Sequence, residues 1–397
     1  MRIVIWMNQP SHYQTAFFRE LSGRAGITLA VCYATELPQQ RRALGWTDAG
    51  QEKFAQTFLS RGNWFTTVVR TAWRERRSVH LVNGVWSVPS FVLASWLLWI
   101  FRAPLFFHSE APNPALERRG LIGGIKRWVG RLMVNRSRGI FVIGRKAGSY
   151  YRSIGVTAEK IFKFAYFVSP VPAASARSDD DNFQIIYVGQ FVERKGVSPL
   201  IGAVALLRQE GIPAILRLVG AGPLAQQYRS EAAAFGIKDF VAIEGAVRPE
   251  EIPARFAAAD VAVLTSHFDG WGLTMNEALH AGKPVVVTAN CGVEELVRHR
   301  PEWGAVVSRC EAHEIAEALA KIHRQRDRFV VDPAEVEAVI GCAAMTDHFL
   351  ACVEWSRNPT TARPEPRWSI AQPANPVPAT RGANLDGHGF RPPAKVG

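Results

Sequence analysis

The sequence predicts an α/β fold of two Rossmann-like, doubly wound parallel-sheet domains facing a cleft, and three observations carry that expectation. The first is length, because 397 residues exceed what one hydrophobic core serves when domains cluster at about 100–200 residues. The second is the alternation of short β-branched runs with segments of helical period. The third is a break at residues 169–182, SPVPAASARSDDDN, whose Pro, Ala, Ser and Asp show no periodicity and read as a linker.

The first domain, residues 1–168, holds the strand-like runs RIVIWM, ITLAVCY, VHLVNG, APLFFH and GIFVIG, with helical stretches such as 14–21 and 122–134 between them. RIVIWM is too short for the apolar region of a signal peptide and reads as the first strand. Residues 88–101 are uncharged, yet they fall short of the roughly 20 needed to cross a bilayer and read as a buried helix. The second domain, residues 183–340, alternates more cleanly through QIIYVG, AILRLVG, FVAIEG, DVAVLT and PVVVT. Strand and helix in strict turn imply parallel strands with right-handed crossovers. Residues 341–357 read as a last helix, free to cross back to the first domain. Residues 358–397 turn to Pro, Arg, Asn and Gly, with too few large apolar side chains to offset chain entropy, and are expected to be disordered.

A hydrophobic content of 48% with 21% charged residues excludes global disorder. The net charge of +12 predicts a negative partner, and phosphorylated small molecules, anionic lipid and nucleic acid all qualify. Nucleic acid ranks last, because the cations are spread through an α/β scaffold with no binding motif. Five dispersed cysteines, Cys32, Cys291, Cys310, Cys342 and Cys352, lack zinc-site spacing and read as free thiols of a reducing cytosol.

Ligands of open parallel sheets sit at the carboxyl ends of the strands, so the loops there are the candidate site. After DVAVLT, Asp269 and Glu277 flank Gly270, Trp271 and Gly272. The glycines let the backbone approach a ligand, and the amides near Gly272 and Leu273 suit a diphosphate at a helix start. The two carboxylates would accept hydrogen bonds from sugar or ribose hydroxyls. Thr274 and Glu277 equally fit a capping box, so the residues alone leave two readings. After QIIYVG, the loop Gly189 to Gly196 carries Gln190, Arg194 and Lys195, whose cations suit a leaving diphosphate or are simply solvated. Gly220 and Gly222 of LVGAGP allow a tight turn, and Val247 in GAVRP offers backbone groups to a nucleobase.

Together, the order and spacing of these four loops resemble retaining glycosyltransferase family 4, the glycosyl transferases group 1, with its two-domain GT-B fold, over roughly residues 2–357. The most specific part is the acidic pair followed by the Glu-Ala-x-x-Ala-Gly-x-Pro-Val pattern at residues 277–285; FFHSE and GVTAEKIFKFAYFVS look like first-domain counterparts. The resemblance implies that Glu277 binds the donor ribose and Asp269 the hydroxyls of the transferred sugar. It gives the amides of Gly270 to Leu273 the sugar and diphosphate, and Lys195 the leaving phosphate. Val247 would meet the base, and His108 would sit near the reacting sugar, although a histidine ending a buried strand also serves structurally. Asp269 stands where the family usually has Glu, Gln190 where it usually has Arg, and residues 8–13 replace a glycine-rich turn.

The implied reaction moves a sugar from a nucleotide-diphosphate donor to a saccharide or lipid-linked saccharide, with retention and without a cofactor. Cations and aligned amides can stabilise the departing diphosphate without a metal, and Asp179, Asp180 and Asp181 read as solvated linker acids. A silent partner subunit and a nucleotide-sugar epimerase are the competing readings. Residues 117–138 hold seven cations against one acid, with Leu121, Ile122, Ile125, Trp128, Val129 and Leu132 at near-helical spacing. Such a helix suits an anionic membrane surface, at the inner face of the plasma membrane, or packs on its own sheet like any Rossmann helix.

Overall fold

The computed structural model describes residues 1–38, 52–84, 88–112, 120–168, 181–359 and 362–370. The first sheet contains β1 (Arg2–Met7), β2 (Thr28–Tyr33), β3 (Ala55–Phe58), β4 (Val79–Asn83), β5 (Leu105–Glu110), β6 (Gly139–Ile143) and β7 (Ile161–Phe164). All seven are parallel, in the order β3-β2-β1-β4-β5-β6-β7. The second sheet contains β8 (Phe183–Val188), β9 (Ala214–Val219), β10 (Val241–Gly245), β11 (Val261–Leu264), β12 (Val285–Thr288) and β13 (Gly304–Val307). These six are also parallel, ordered β10-β9-β8-β11-β12-β13. The two-sheet α/β fold is therefore the one the alternation predicts. In each sheet the order reverses, at β1/β4 and at β8/β11, and there the adjacent loops part to open a crevice.

Strands β3, β7 and β13 are not among the runs predicted from the sequence; β3, AQTF, is a short edge strand that buries too little to show a pattern. On one face of the first sheet lies α1 (His12–Gly23). The other face carries α2 (Trp64–Arg74), α3 (Pro89–Ile100), α4 (Gly120–Arg136) and α5 (Gly144–Ser153), which share one core with the sheet. Phe91, Ala94 and Leu98 fix α3 as a buried helix packed over Val4, Trp6 and Phe107. In the second domain follow α6 (Val197–Gln209), α7 (Ala225–Ala234), α8 (Ile252–Ala257), α9 (Leu273–His280), α10 (Glu294–His299), α11 (Ala312–Arg324), α12 (Pro333–Ile340) and α13 (Cys342–Trp355).

Helix α13 packs on the first domain. Phe349 lies 5.7 Å from Phe17 and 5.1 Å from Phe141 between ring centroids, and the His348 Nε2 hydrogen-bonds the Lys163 carbonyl at 3.0 Å. One apolar cluster thus runs from Ile5 and Phe141 through Phe349 to Leu264 and Val287. Among the described residues, only Arg326–Trp355 is long and apolar enough to cross a bilayer. Gly341, at ψ 164°, divides that stretch, and Val336, Ile340, Phe349 and Cys352 on either side of it are buried.

The expected disorder from residue 358 is corrected for residues 362–370. Trp368 is fully buried beneath α10 and α12, and Arg363 donates to the Ala158 carbonyl at 2.7 Å. One tryptophan inserted into an existing core suffices here, which average composition does not register. Residues 169–180, with Asp179 and Asp180, and residues 371–397 lie outside the described residues. Trp368→Ala is expected to cost about 3–5 kcal/mol, read as a lower urea midpoint. A variant as stable as the parent would show that this segment merely rests on the surface.

Candidate functional site

The carboxyl ends of both sheets meet at a cavity of about 500 Å³. Met7, Asn8, Gln9, Ser11, Gln14, Asn83, Glu110 and Tyr166 line it from the first domain, and Asp269, Trp271, Gly272 and Leu273 from the second. Asn8 and Gln9, in the stretch that replaces a glycine-rich turn, therefore present amide side chains to the cleft. The domains touch beside it: Arg145 pairs with Glu294 at 2.9 Å, and Lys146 Nζ donates to Asn290 Oδ1 at 2.5 Å. Between these contacts Gly144, Gly292 and Gly270 bring three backbones so close that an added Cβ would overlap a neighbour.

Asp269 is gathered with both predicted cations. Lys195 Nζ lies 2.5 Å from Asp269 Oδ2, and Arg194 NH1 lies 3.5 Å from the same oxygen while donating to the Phe268 carbonyl at 2.6 Å. The other carboxylate oxygen accepts from the Trp271 amide at 3.3 Å. Acid and cations thus hold one another at the cleft. Gly272 has φ +98°, and a Cβ there would overlap Leu264, so only glycine lets the chain turn from loop into α9. Gly272 is itself the N-cap of α9 and no side chain caps that end. The capping-box reading of Thr274 and Glu277 is not realised, since Thr274 already lies inside the helix; Glu277 follows in the second turn.

The remaining residues are placed as follows. Gly220 and Gly222 pack directly against the backbones of Gly189 and Phe191, and a Cβ at either position would overlap main chain. That contact holds two strand-end loops together and accounts for both glycines. The Gln190 side chain is exposed, its carbonyl accepting from the Tyr187 hydroxyl at 2.9 Å, and Val247 is half-buried against the core. His108 lines a small apolar recess next to the cleft with Phe17, Phe18, Phe164 and Tyr166, rather than the polar cavity itself. Its Nδ1 faces Asn83 Oδ1 at 3.1 Å, and burial pushes its pKa down to about 4, so the ring is neutral at neutral pH.

Two residues on, and on the same side of β5, Glu110 enters the cavity. Sequence reasoning passed over it, although the alternation of β5 could have found it. Tyr166 donates a hydrogen bond to its carboxylate, and a Cβ on Gly270 would overlap that carboxylate. Burial holds the Glu110 carboxyl above the ordinary carboxylate range; the Tyr166 hydroxyl opposes this, the Asp269 charge adds to it, and Arg194 and Lys195 counter it. Two carboxyl groups from different domains therefore face one cavity.

Known proteins resemble the chain at both levels. The structure of HepE from Anabaena in complex with UDP superposes with a TM-score of 0.69 at 17% identity, covering 89% of this chain and all of that one. The fold is thus that of the two-domain GT-B class. Residues 173–330 match the family described as Glycosyl transferases group 1. A GDP-mannose-dependent alpha-(1-6)-phosphatidylinositol monomannoside mannosyltransferase of Mycobacterium tuberculosis is 30% identical over 207 residues, 49% of this chain and 52% of that protein. The alpha-D-kanosaminyltransferase of Streptomyces kanamyceticus is 25% identical over 226 residues, 54% and 58% of the two chains. The matches span about half the length of these curated relatives.

Proposed function

We propose that this protein transfers a sugar from a nucleotide-diphosphate donor to a saccharide or lipid-linked saccharide in polysaccharide or glycolipid biosynthesis, at the cytoplasmic side of a membrane. The observation that carries the reading is the pairing of Lys195 and Arg194 with Asp269, which together with the Gly272 turn lines one end of an interdomain cavity. The family match over the second domain and the names of the two relatives support the reaction class, and the lipid acceptor in the first name supports the acceptor class.

In this reading Glu277 holds the donor ribose, and the Val247 backbone meets the base. Gly189, Gln190 and Gly222 shape the diphosphate loop. The amides of Gly270 to Leu273 with Lys195 and Arg194 take the charge that develops on the departing diphosphate, so the protein needs no metal for that step. Asp269 receives hydroxyls of the transferred sugar once Lys195 turns to the phosphate. Glu110 faces the same cavity from the acceptor domain and holds a hydroxyl of the sugar or acceptor. His108 stays neutral and supports Asn83 at the cavity wall. The acceptor attacks from the face the diphosphate leaves, the phosphate takes its proton, and the anomeric configuration is retained.

A panel of nucleotide-sugars screened by thermal shift tests the donor, since ligand at a hundred times its Kd stabilises by about 2.7 kcal/mol. With the donor known, proton NMR of the product is expected to show the donor's anomeric configuration. Inversion would end the same-face mechanism, and donor consumption without acceptor would favour the epimerase reading. Tight donor binding with no turnover would favour a silent subunit, the reading that the departures at Gln190 and Asp269 raise.

A further inference from the structure

We propose that one flank of the first domain, formed by α4, is a docking surface for an anionic phospholipid bilayer. Leu121, Ile122, Ile125 and Trp128 are 81%, 56%, 55% and 63% exposed. At about 100° per residue these four fall within about 120° of arc on α4. The buried positions of the same helix are Gly123, Gly130 and Val134, turned away from the stripe, and Met133, which lies near the azimuth of Ile122 but about three turns further along. The helix therefore packs on its sheet through small residues and its last two turns, and aims the large apolar side chains of its first half, Leu121, Ile122, Ile125 and Trp128, at solvent. That is the reverse of an ordinary Rossmann helix.

Charge identifies the partner. Lys126 and Arg131 border the apolar stripe on its two sides, and neither has an ion pair among the described residues. Residues 61–138 carry thirteen lysines and arginines against three acids, which is most of the chain's net charge of +12. Alternation of indole and aliphatic side chains with cations fits the interface of a bilayer bearing anionic headgroups. A second copy of this face would bring like charges together. The chain's own segment 371–397, with Arg381, Arg391 and Lys395 against Asp386, is positive as well. Four cations on a helix of seventeen residues keep α4 at the surface instead of across the membrane.

Topology sets the orientation. In a parallel sheet each helix begins where the preceding strand ends, so the first turns of α2 and α4 lie at the end of the sheet that carries the cavity. Trp64 and Phe65 are exposed in the first turn of α2, as Leu121 and Ile122 are in that of α4. The apolar start of α4 therefore lies at the end of the sheet that carries the cleft, the end from which an acceptor anchored in the same bilayer would enter. The surface stands on its own exposure and charge, whether or not the donor chemistry is as proposed above.

Flotation of the full chain with vesicles tests this surface. It is expected to float with phosphatidylcholine–phosphatidylglycerol vesicles at low salt, to be released by added salt, and to stay behind with phosphatidylcholine alone. Ile125→Ser with Trp128→Ser should weaken the interaction about tenfold, and Lys126→Ser with Arg131→Ser should weaken it similarly and flatten its salt dependence. Both variants alter exposed positions and should keep the parent Tm and the parent thermal shift with nucleoside diphosphates. Equal binding to neutral vesicles, or binding untouched by either pair, would overturn the proposal. So would a dimer in solution that Ile125→Ser with Trp128→Ser dissociates, because the face would then belong to a second copy.

Discussion

Lys195→Met is expected to lower kcat about 10²–10³-fold, the loss that follows removal of one preorganised group facing developing charge. The side chain sits 2.5 Å from Asp269 at the end of the cavity and ends a loop that only Gly196, at φ +61°, can close. A Cβ at Gly196 would overlap the Thr265 carbonyl, so this loop is held rigidly beside β11. Methionine keeps the length of the side chain and removes its charge. The stability change should be small, because Arg194 still faces Asp269 at 3.5 Å. Stabilisation by nucleoside diphosphates should fall together with kcat. A variant with unchanged kcat would leave Lys195 as a partner of Asp269 and nothing more.

Glu110→Gln is expected to reduce transfer about 10–100-fold while leaving the fold as stable as the parent or more so. The two effects have separate origins. Glutamine keeps the shape and one acceptor for Tyr166, but it loses the charge that would strengthen a hydrogen bond to a sugar hydroxyl. The folded state raises the pKa of Glu110, so folding favours the protonated form. The native state then binds the proton more tightly than the unfolded chain. Stability contributed by this group is present at low pH and declines as pH rises from the unfolded carboxyl value through the folded one. Glutamine removes that decline, so the advantage of Glu110→Gln in Tm should grow with rising pH and vanish in acid. Loss of stability at every pH, in step with activity, would make Glu110 a structural residue.

The second domain was the more legible half. Its strands follow one another with helices of ordinary length, and its site residues lie in two short loops where glycine, cation and acid are neighbours in sequence. Asp269, Gly272 and Lys195 could be named because local backbone demands, a left-handed turn above all, leave a local signature. The first domain was harder. Its strand β3 is short and polar, and its cavity residues are scattered amides on Asn8, Gln9, Gln14 and Asn83, each unremarkable alone. His108 was legible as the end of a buried strand, yet its ring lies in an apolar recess and the neighbouring cavity takes Glu110.

By itself, then, the sequence determined the two parallel sheets, the strand-end loops of the second domain and the basic, apolar character of α4, because periodicity and turn chemistry act within a dozen residues. Only the tertiary structure decided that Gly272, and not a capping box, starts α9, and that Glu110 meets Asp269 and Gly270 across the cleft. It also decided that Trp368 is buried and that the apolar stripe of α4 faces outward. The physical reason is common to all four. Burial, overlap and proton affinity depend on which distant segments share a space, and that is set by how two domains pack, a quantity no local pattern contains.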